Sequence, residues 1–137
     1  MRAMGLDYGT VRIGVAVSDP SGIIAQPKGF VKAVPRRQCI AEIASMCTDL
    51  KIGVIVIGLP KHMNGDEGES AQGARRLGSE IESSTNLPVT YIDERLTTVS
   101  AENILKERNI RAQGRKEKVD SVAAAIILQN YLDIHSV

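Results

Sequence analysis

The sequence predicts an α/β sandwich built on a mixed five-stranded sheet, with residues 1–137 forming one domain. In the first third of the chain, apolar and small residues alternate with a period of two in segments separated by tight turns. Apolar residues then recur at helical spacing, and after that predicted strands alternate with predicted helices. A chain of 137 residues with 43% apolar residues can bury a single core and is too short for two. Its balance of apolar and charged residues excludes disordered, collagen-like and coiled-coil chains.

The N-terminal third predicts an antiparallel meander of three strands. Residues 2–7 and 11–18 are the first two strands, because apolar and small residues alternate along the second one. The third strand, residues 23–32, follows the Asp19–Gly22 segment, whose residue types favour turn dihedral angles. Asp7 therefore lies at the very end of the first strand.

The remainder of the chain predicts helices alternating with parallel strands. From Pro35 the apolar residues recur at helical spacing, and proline is well tolerated in a first helical turn. The continuous apolar run Gly53–Gly58 is typical of a parallel strand that helices cover on both faces. The elements expected after it are a loop over 59–69, a helix carrying Leu77, a strand over 88–93, and two helices over 98–108 and 117–133, with a basic connector between these last two.

Charge, cysteine content and hydropathy narrow the class of protein. The net charge of +1 gives no indication of a polyanionic partner, so any electrostatic targeting must come from local clusters. Cys39 and Cys47 lie outside the spacing of zinc or redox pairs and are expected as reduced core residues. No run is long enough for a signal peptide or a membrane span, which predicts a cytoplasmic protein without a membrane partner. His135 falls in an expected frayed tail without a role.

Acidic residues are expected to converge at one end of this sheet. Asp7 ends the first strand, Asp93 and Glu94 end the fifth, and Asp120 heads an apolar stripe of the last helix. Carboxylates held close together repel unless a cation neutralises them, and hard oxygen ligands suit Mg²⁺ or Mn²⁺. A pair of such ions can hydrolyse a phosphodiester. These acids therefore predict a metal-dependent nuclease site.

Each acid also has a simpler interpretation. Asp7 could accept hydrogen bonds from amides in a hairpin turn, and Asp120 could be a first-turn carboxylate favoured by the helix dipole. Asp93 and Glu94 could pair with Arg95 or cap the following helix. Their joint placement at one end of the sheet favours the site.

Basic residues next to the acids predict contact with phosphates. The segment 106–118 holds six basic and two acidic residues directly before Asp120, although a solvated loop is an alternative. The glycine-punctuated loop after the fourth strand lacks the ending of a P-loop, which excludes a Walker-type ATP site. Within it Lys61, His62 and Asn64 are candidate phosphate contacts or plain surface residues. Because aromatic residues make up only 3% of the chain, recognition should depend on backbone and shape.

Four ordered motifs span Met1 to Leu132. They are the opening GLDYGT at 5–10 with RIGVAVSD at 12–19, GLP and MNG in the loop at 58–65, DERLTT at 93–98, and VDSVAA at 119–124 with its continuation to Leu132. Together they resemble the RuvX (YqgF) family. The departures are Val11 where the family often carries Lys, Leu77 where it often carries Phe, and Val119 in place of isoleucine.

The resemblance implies a ribonuclease H-like fold and a metal-dependent nuclease related to Holliday-junction resolvases, which is also proposed to mature the 5′ end of pre-16S ribosomal RNA. It implies that Asp7, Asp120 and either Glu94 or Asp93 are catalytic metal ligands, with Glu94 favoured. The expected partner is structured RNA, with a DNA junction as the alternative, bound by a monomer or a homodimer. The expected nucleic-acid contacts are Arg12, Lys61, Asn64, Arg95, Arg111, Arg115 and Lys116.

Two other classes of function stay open at the level of sequence. Asp7–Thr10 also resembles the phosphate loop of the actin and sugar-kinase superfamily, whose members are two-domain ATPases. A binding module without catalysis, acting through the basic connector on ribosome assembly, is the third hypothesis. No residue pattern separates RNA from DNA here, because nothing marks a contact to a 2′-hydroxyl.

Overall fold

A computed structural model describes residues 1–60, 67–93 and 115–135. For 115–120 it gives the helical backbone only. The strands are β1 (Arg2–Asp7), β2 (Arg12–Ser18), β3 (Ala25–Lys32), β4 (Ile52–Leu59) and β5 (Val89–Asp93). The helices are α1 (Arg36–Asp49), α2 (Glu69–Thr85) and α3 (Arg115–His135).

The five strands form one mixed sheet in the order β3-β2-β1-β4-β5. β1 pairs antiparallel with β2, and β2 antiparallel with β3, whereas β4 pairs parallel with both β1 and β5. This is the predicted arrangement of a meander followed by strand–helix units. The carboxyl ends of β1, β4 and β5 consequently lie at the same end of the sheet.

Helices cover the sheet on both faces, which explains why β4 reads as an unbroken apolar run. α1 and α2 pack on one face, where Leu6, Ile57 and Leu77 belong to the larger cluster of buried side chains. α3 packs on the other face, where a smaller cluster includes Ala3 and Ala124. Because side chains alternate along a strand, odd-numbered residues of β1 face α3 and even-numbered residues face α1 and α2.

The predicted elements that fall within the described residues are confirmed, with small shifts at their ends. Pro35 occupies the N-cap position, so α1 begins one residue later, at Arg36. The loop predicted over 59–69 is shorter, because Leu59 is the last residue of β4 and Glu69 is the first of α2. The expectation of a frayed tail at His135 is wrong. His135 is the last residue of α3, and its ring stacks on that of Tyr131 with 4.1 Å between centroids. The predicted helix over 98–108 lies outside the described residues.

The turn between β2 and β3 is held by Asp19, as its residue types predict. The Asp19 carboxylate accepts hydrogen bonds from the backbone N–H groups of Ile23 at 2.7 Å, Ile24 at 2.8 Å and Ser21 at 3.1 Å. These bonds, above all the one from Ile24, lower the pKa of Asp19 because they favour its charged form.

Both cysteines are buried free thiols on α1, which confirms their interpretation as core residues. Burial raises the pKa of Cys47 to about 11 and also raises that of Cys39. Neither thiol therefore has the lowered pKa of a reactive cysteine. Within the ranges that the structure describes, no helix is long and apolar enough to span a membrane.

Candidate active site

Asp7 occupies the carboxyl end of β1, half-buried and directly opposite Gly14 of β2. Its odd-numbered neighbours in β1, Ala3 and Gly5, lie on the α3 face, so Asp7 belongs to the same face. The predicted position at the strand end is confirmed, and the face it occupies is a new finding.

The turn after Asp7 is fixed by two close approaches that only glycine permits. A Cβ on Gly9 would collide with the carbonyl oxygen of Arg12, so the turn closes too tightly for any other residue. A Cβ on Gly73 of α2 would lie 2.6 Å from the hydroxyl oxygen of Tyr8. The Tyr8 ring thus crosses to the opposite face from Asp7 and packs into the core under α2. The chain on either side of Asp7 is therefore anchored.

α3 approaches β1 very closely and runs antiparallel to it. A Cβ on Gly5 would lie 2.7 Å from Cβ of Leu128 and 2.9 Å from the carbonyl oxygen of Ala124. Further along α3, the Gln129 side chain accepts a hydrogen bond from the N–H of Ala25 at 2.9 Å. Ala25 begins β3 at the end of the sheet where β1 also begins. The first turns of α3 consequently lie toward the end of β1, where Asp7 is.

Asp120 lies in these first turns of α3, one helical turn before Ala124. Its side chain is outside the described residues. The backbone alone places position 120 on the helical stripe that continues through Ala124 and Leu128, which contact Gly5. Gly5 in turn precedes Asp7 by two residues in β1.

Asp93 ends β5 as predicted, in register with Leu59 of β4. Leu59 and Tyr91 both belong to the core under α1 and α2, whereas Ile92 packs in the α3 cluster. Position 93 therefore shares the α1 and α2 face, opposite to Asp7. Glu94, the following residue, lies outside the described residues.

Hydrogen bonds join Glu67, just before α2, to Arg75 within α2. The Arg75 guanidinium donates two hydrogen bonds of 2.8 Å to the two carboxylate oxygens of Glu67, and it also lies 4.9 Å from the centroid of the Tyr91 ring. The bond to Glu67 raises the pKa of Arg75, and burial raises the pKa of Tyr91. Bidentate geometry of this kind fixes orientation as well as distance. Glu67 is thereby held against α2.

Arg12 is the predicted nucleic-acid contact that the structure describes in full. It begins β2 opposite Lys32 of β3, and its guanidinium carbon lies 5.0 Å from the centroid of the Phe30 ring. Phe30 and Lys32, which lie beside Arg12, were not among the contacts predicted from the sequence. The available signal was the stretch 20–41, which holds four basic residues and no acid.

The other predicted contacts cannot be placed. Lys61, His62, Asn64, Arg95 and Arg111 lie outside the described residues. Arg115 and Lys116 begin α3, with their backbone alone described. Within residues 1–60, 67–93 and 121–135, whose side chains are described, no group of three or more His, Cys, Asp or Glu could hold a metal ion.

The arrangement of this sheet is that of the ribonuclease H-like resolvases. The structure is similar to that of Thermus thermophilus RuvC in complex with a Holliday junction, with a TM-score of 0.61, 14% identity, and coverage of 100% of this chain and 98% of that one. It is also similar to the Holliday junction resolvase of fowlpox virus, with a TM-score of 0.59, 10% identity, and coverage of 98% and 99%. At these identities the likeness shows the fold alone.

A family model, RuvX, described as Holliday junction resolvase, matches residues 1–134, and the chain belongs to this family. A relative from Clostridium beijerinckii is 47% identical over 136 residues, covering 99% of each chain. Another from Roseiflexus sp. is 41% identical over 132 residues, covering 96% of this chain and 94% of the relative. Both carry the name "Putative pre-16S rRNA nuclease". The family that the sequence motifs resemble is thus confirmed.

Proposed function

We propose that this chain is a divalent-metal-dependent endonuclease that hydrolyses phosphodiester bonds in structured nucleic acid. Its proposed substrate is the 5′ end of pre-16S ribosomal RNA, processed in the cytoplasm by residues 1–137 as one domain. Membership of the RuvX family and the names of its relatives support this proposal.

The observation that carries the proposal is the contact of Gly5 with α3. Asp7 follows Gly5 by two residues on the same face of the sheet, and Asp120 precedes Ala124 by one helical turn. Two carboxylate-bearing positions thus flank one close contact between β1 and α3. Like charges kept near each other are stable when a cation lies between them.

The chemistry of this donor set fits a hard divalent ion. Asp7 and Asp120 offer carboxylate oxygens, the ligands preferred by Mg²⁺ and Mn²⁺, and no described thiol or imidazole accompanies them. Such an ion, when bound, polarises a phosphodiester and neutralises charge that develops on its oxygens. In this proposal Asp7 and Asp120 hold the ion, and the anchored turn at Tyr8 keeps Asp7 from moving away.

We propose Glu94 as the third acid. Asp93 lies in the row of Leu59, on the face of α1 and α2, whereas Asp7 lies on the face of α3. The face occupied by Asp93 thus favours Glu94 over Asp93 as the ligand.

The decisive experiment is cleavage of end-labelled pre-16S RNA in Mg²⁺, Mn²⁺ or EDTA by the wild type, Asp7→Asn and Asp93→Asn. We expect cleavage that depends on the metal and a loss of roughly 10³-fold in kcat/KM for Asp7→Asn. Asp93→Asn is the matched control, since it makes the same change on the opposite face. It should stay within about twofold of the wild type. Full activity of Asp7→Asn, or equal losses in both variants, would contradict the proposal.

The family description favours one second candidate, resolution of a Holliday junction. A resolvase should act as a two-fold dimer, because its substrate has that symmetry, whereas an RNA-processing enzyme can act as a monomer. A four-way DNA junction belongs in the same cleavage series. Symmetric cleavage of the junction by a dimer, without cleavage of the RNA, would replace the first proposal by the second.

A further inference from the structure

A basic surface lies beside Asp7 at the open edge of the sheet, where β3 is the outermost strand. Its residues line a depression of about 450 Å³ and are Val11, Arg12, Phe30, Lys32 and Val34, which we call the β3 edge surface. Val11 and Val34 are 70% and 69% exposed, so apolar and basic groups are presented together. The stretch 20–41, which supplies three of these five residues, contains no acid.

The register of the strands relates this surface to the active site. Asp7, Gly14 and Phe30 are partners in one row across β1, β2 and β3, and Arg12 and Lys32 form the row two residues further along. All of these positions share the α3 face of the sheet. With strands about 4.8 Å apart, the backbones at Asp7 and Phe30 are roughly 10 Å apart.

We infer that the β3 edge surface binds the RNA strand next to the bond that is cut, with Arg12 and Lys32 on its phosphates. This inference rests on the proposed function and extends it to a docking path. Charge complementarity supports it: β2 and β3, which carry Arg12 and Lys32, contain no acidic residue, and both cations lie on the same face of the sheet as Asp7. Arginine suits phosphate because its planar fork donates paired hydrogen bonds.

Phe30 is the positioning residue of this surface. Its ring lies under the Arg12 guanidinium at 5.0 Å, a cation–π contact that keeps the side chain extended over the sheet. Although half-buried, Phe30 belongs to neither of the buried core clusters of the described residues. Its contact with Arg12 thus accounts for a large ring placed outside the core.

The test is the binding of a fluorescent single-stranded RNA, taken from the 5′ flank of pre-16S RNA, to protein carrying Asp7→Asn to prevent cleavage. Lys32→Glu in this background should raise Kd by roughly tenfold. It should also lower the slope of log Kd against log salt concentration by about 0.7, the value for one lost phosphate on a single strand. Lys51→Glu is the matched control, because Lys51 is exposed at the opposite end of the sheet, and it should leave both quantities unchanged.

Variants at Phe30 separate positioning from folding. Phe30→Leu should raise Kd several-fold with unchanged thermal stability, and Phe30→Tyr should restore the affinity because it keeps the ring under Arg12. If Phe30→Tyr fails to restore binding, the positioning role is wrong. If Lys32→Glu alters solubility and leaves Kd unchanged, Lys32 only protects an edge strand against aggregation and the inference falls.

Two further arms distinguish this inference from the proposed function. If the wild type cuts no substrate but Lys32→Glu still weakens RNA binding, the docking surface stands and the nuclease proposal fails. If the wild type cuts RNA and Lys32→Glu changes neither Kd nor KM, the docking surface alone is overturned. Weakened binding of a four-way DNA junction, with RNA binding unchanged, would also overturn it.

Discussion

The face of the sheet under α1 and α2 is filled by large aliphatic side chains, whereas β1 meets α3 closely at a glycine, Gly5. Leu6, Ile57 and Leu77 are wholly buried on the first face. On the second, Gly5 leaves room for Ala124 and Leu128 of α3 to lie against the backbone of β1. Burying large side chains supplies most of the hydrophobic free energy of folding. Small residues supply little of it but set a short distance between two backbones.

This difference suggests a division of roles between the two faces. Asp7, which we propose as a metal ligand, lies on the face of the sheet that α3 covers. Asp120, the other proposed ligand, belongs to α3 itself, and Arg12 also lies on this face. A metal site tolerates little error in the spacing of its ligands, so it benefits from a contact that cannot slide. The α1 and α2 face contains the larger of the two buried clusters, so it contributes more of the hydrophobic free energy that stabilises the fold.

The largest expected effect comes from truncating a large side chain that is buried on the α1 and α2 face. Leu77→Ala removes a wholly buried side chain and should lower the free energy of unfolding by about 3 kcal/mol. The specific cleavage activity of the folded fraction should stay near that of the wild type, because Leu77 lies on the face away from Asp7. Urea denaturation measures the first quantity and kcat the second. A loss of kcat larger than the unfolded fraction explains would remove the proposed division.

Gly5→Ala should give the opposite combination of effects. The added methyl would lie 2.7 Å from Leu128 and 2.9 Å from the Ala124 carbonyl, so α3 must move away from β1. The expected cost is about 1–3 kcal/mol of stability. Cleavage should fall by far more than the unfolded fraction accounts for, because Asp7 and Asp120 separate. Gly29→Ala is the control, since nothing lies within 4 Å of its added methyl and its positive φ adds only backbone strain. Equal activity of the two variants would contradict the idea.

The smallest effect is expected from lowering the pH, which weakens the turn that contacts α3 through Gln129. Asp19 holds the turn whose residues Ile23 and Ala25 bind Gln129 of α3. Its pKa is lowered in the folded protein, so this contribution to stability is complete above the unfolded pKa of about 4 and is lost as pH falls through the lower folded value. The protection factors of the Ile23 and Ile24 amides, which correct for the pH dependence of intrinsic exchange, should fall in that window. Asp19→Asn should show the lower protection factors already at neutral pH, with no further fall in acid.

Much of the fold could be predicted because its signals are local. The alternation along β2 and the unbroken apolar run of β4 depend only on which faces of a strand are covered. The turn at Asp19 follows from the chemistry of its own residues. The position of Asp7 at a strand end needed no more than the length of that strand. Helix ends were less certain, since α3 ends at His135, two residues beyond the predicted end, where the His135 ring stacks on that of Tyr131.

The amino-acid sequence by itself determined the order of strands and helices, the acids at their ends and membership of the RuvX family, since each depends on residue type and spacing along the chain. Only the tertiary structure decided which residues share a face. Register placed Asp7 with Gly14 and Phe30, turned Asp93 to the other side, and brought α3 onto Gly5. The physical reason is that register and close approach depend on how separate elements pack, and no local pattern in the chain encodes the distance between them.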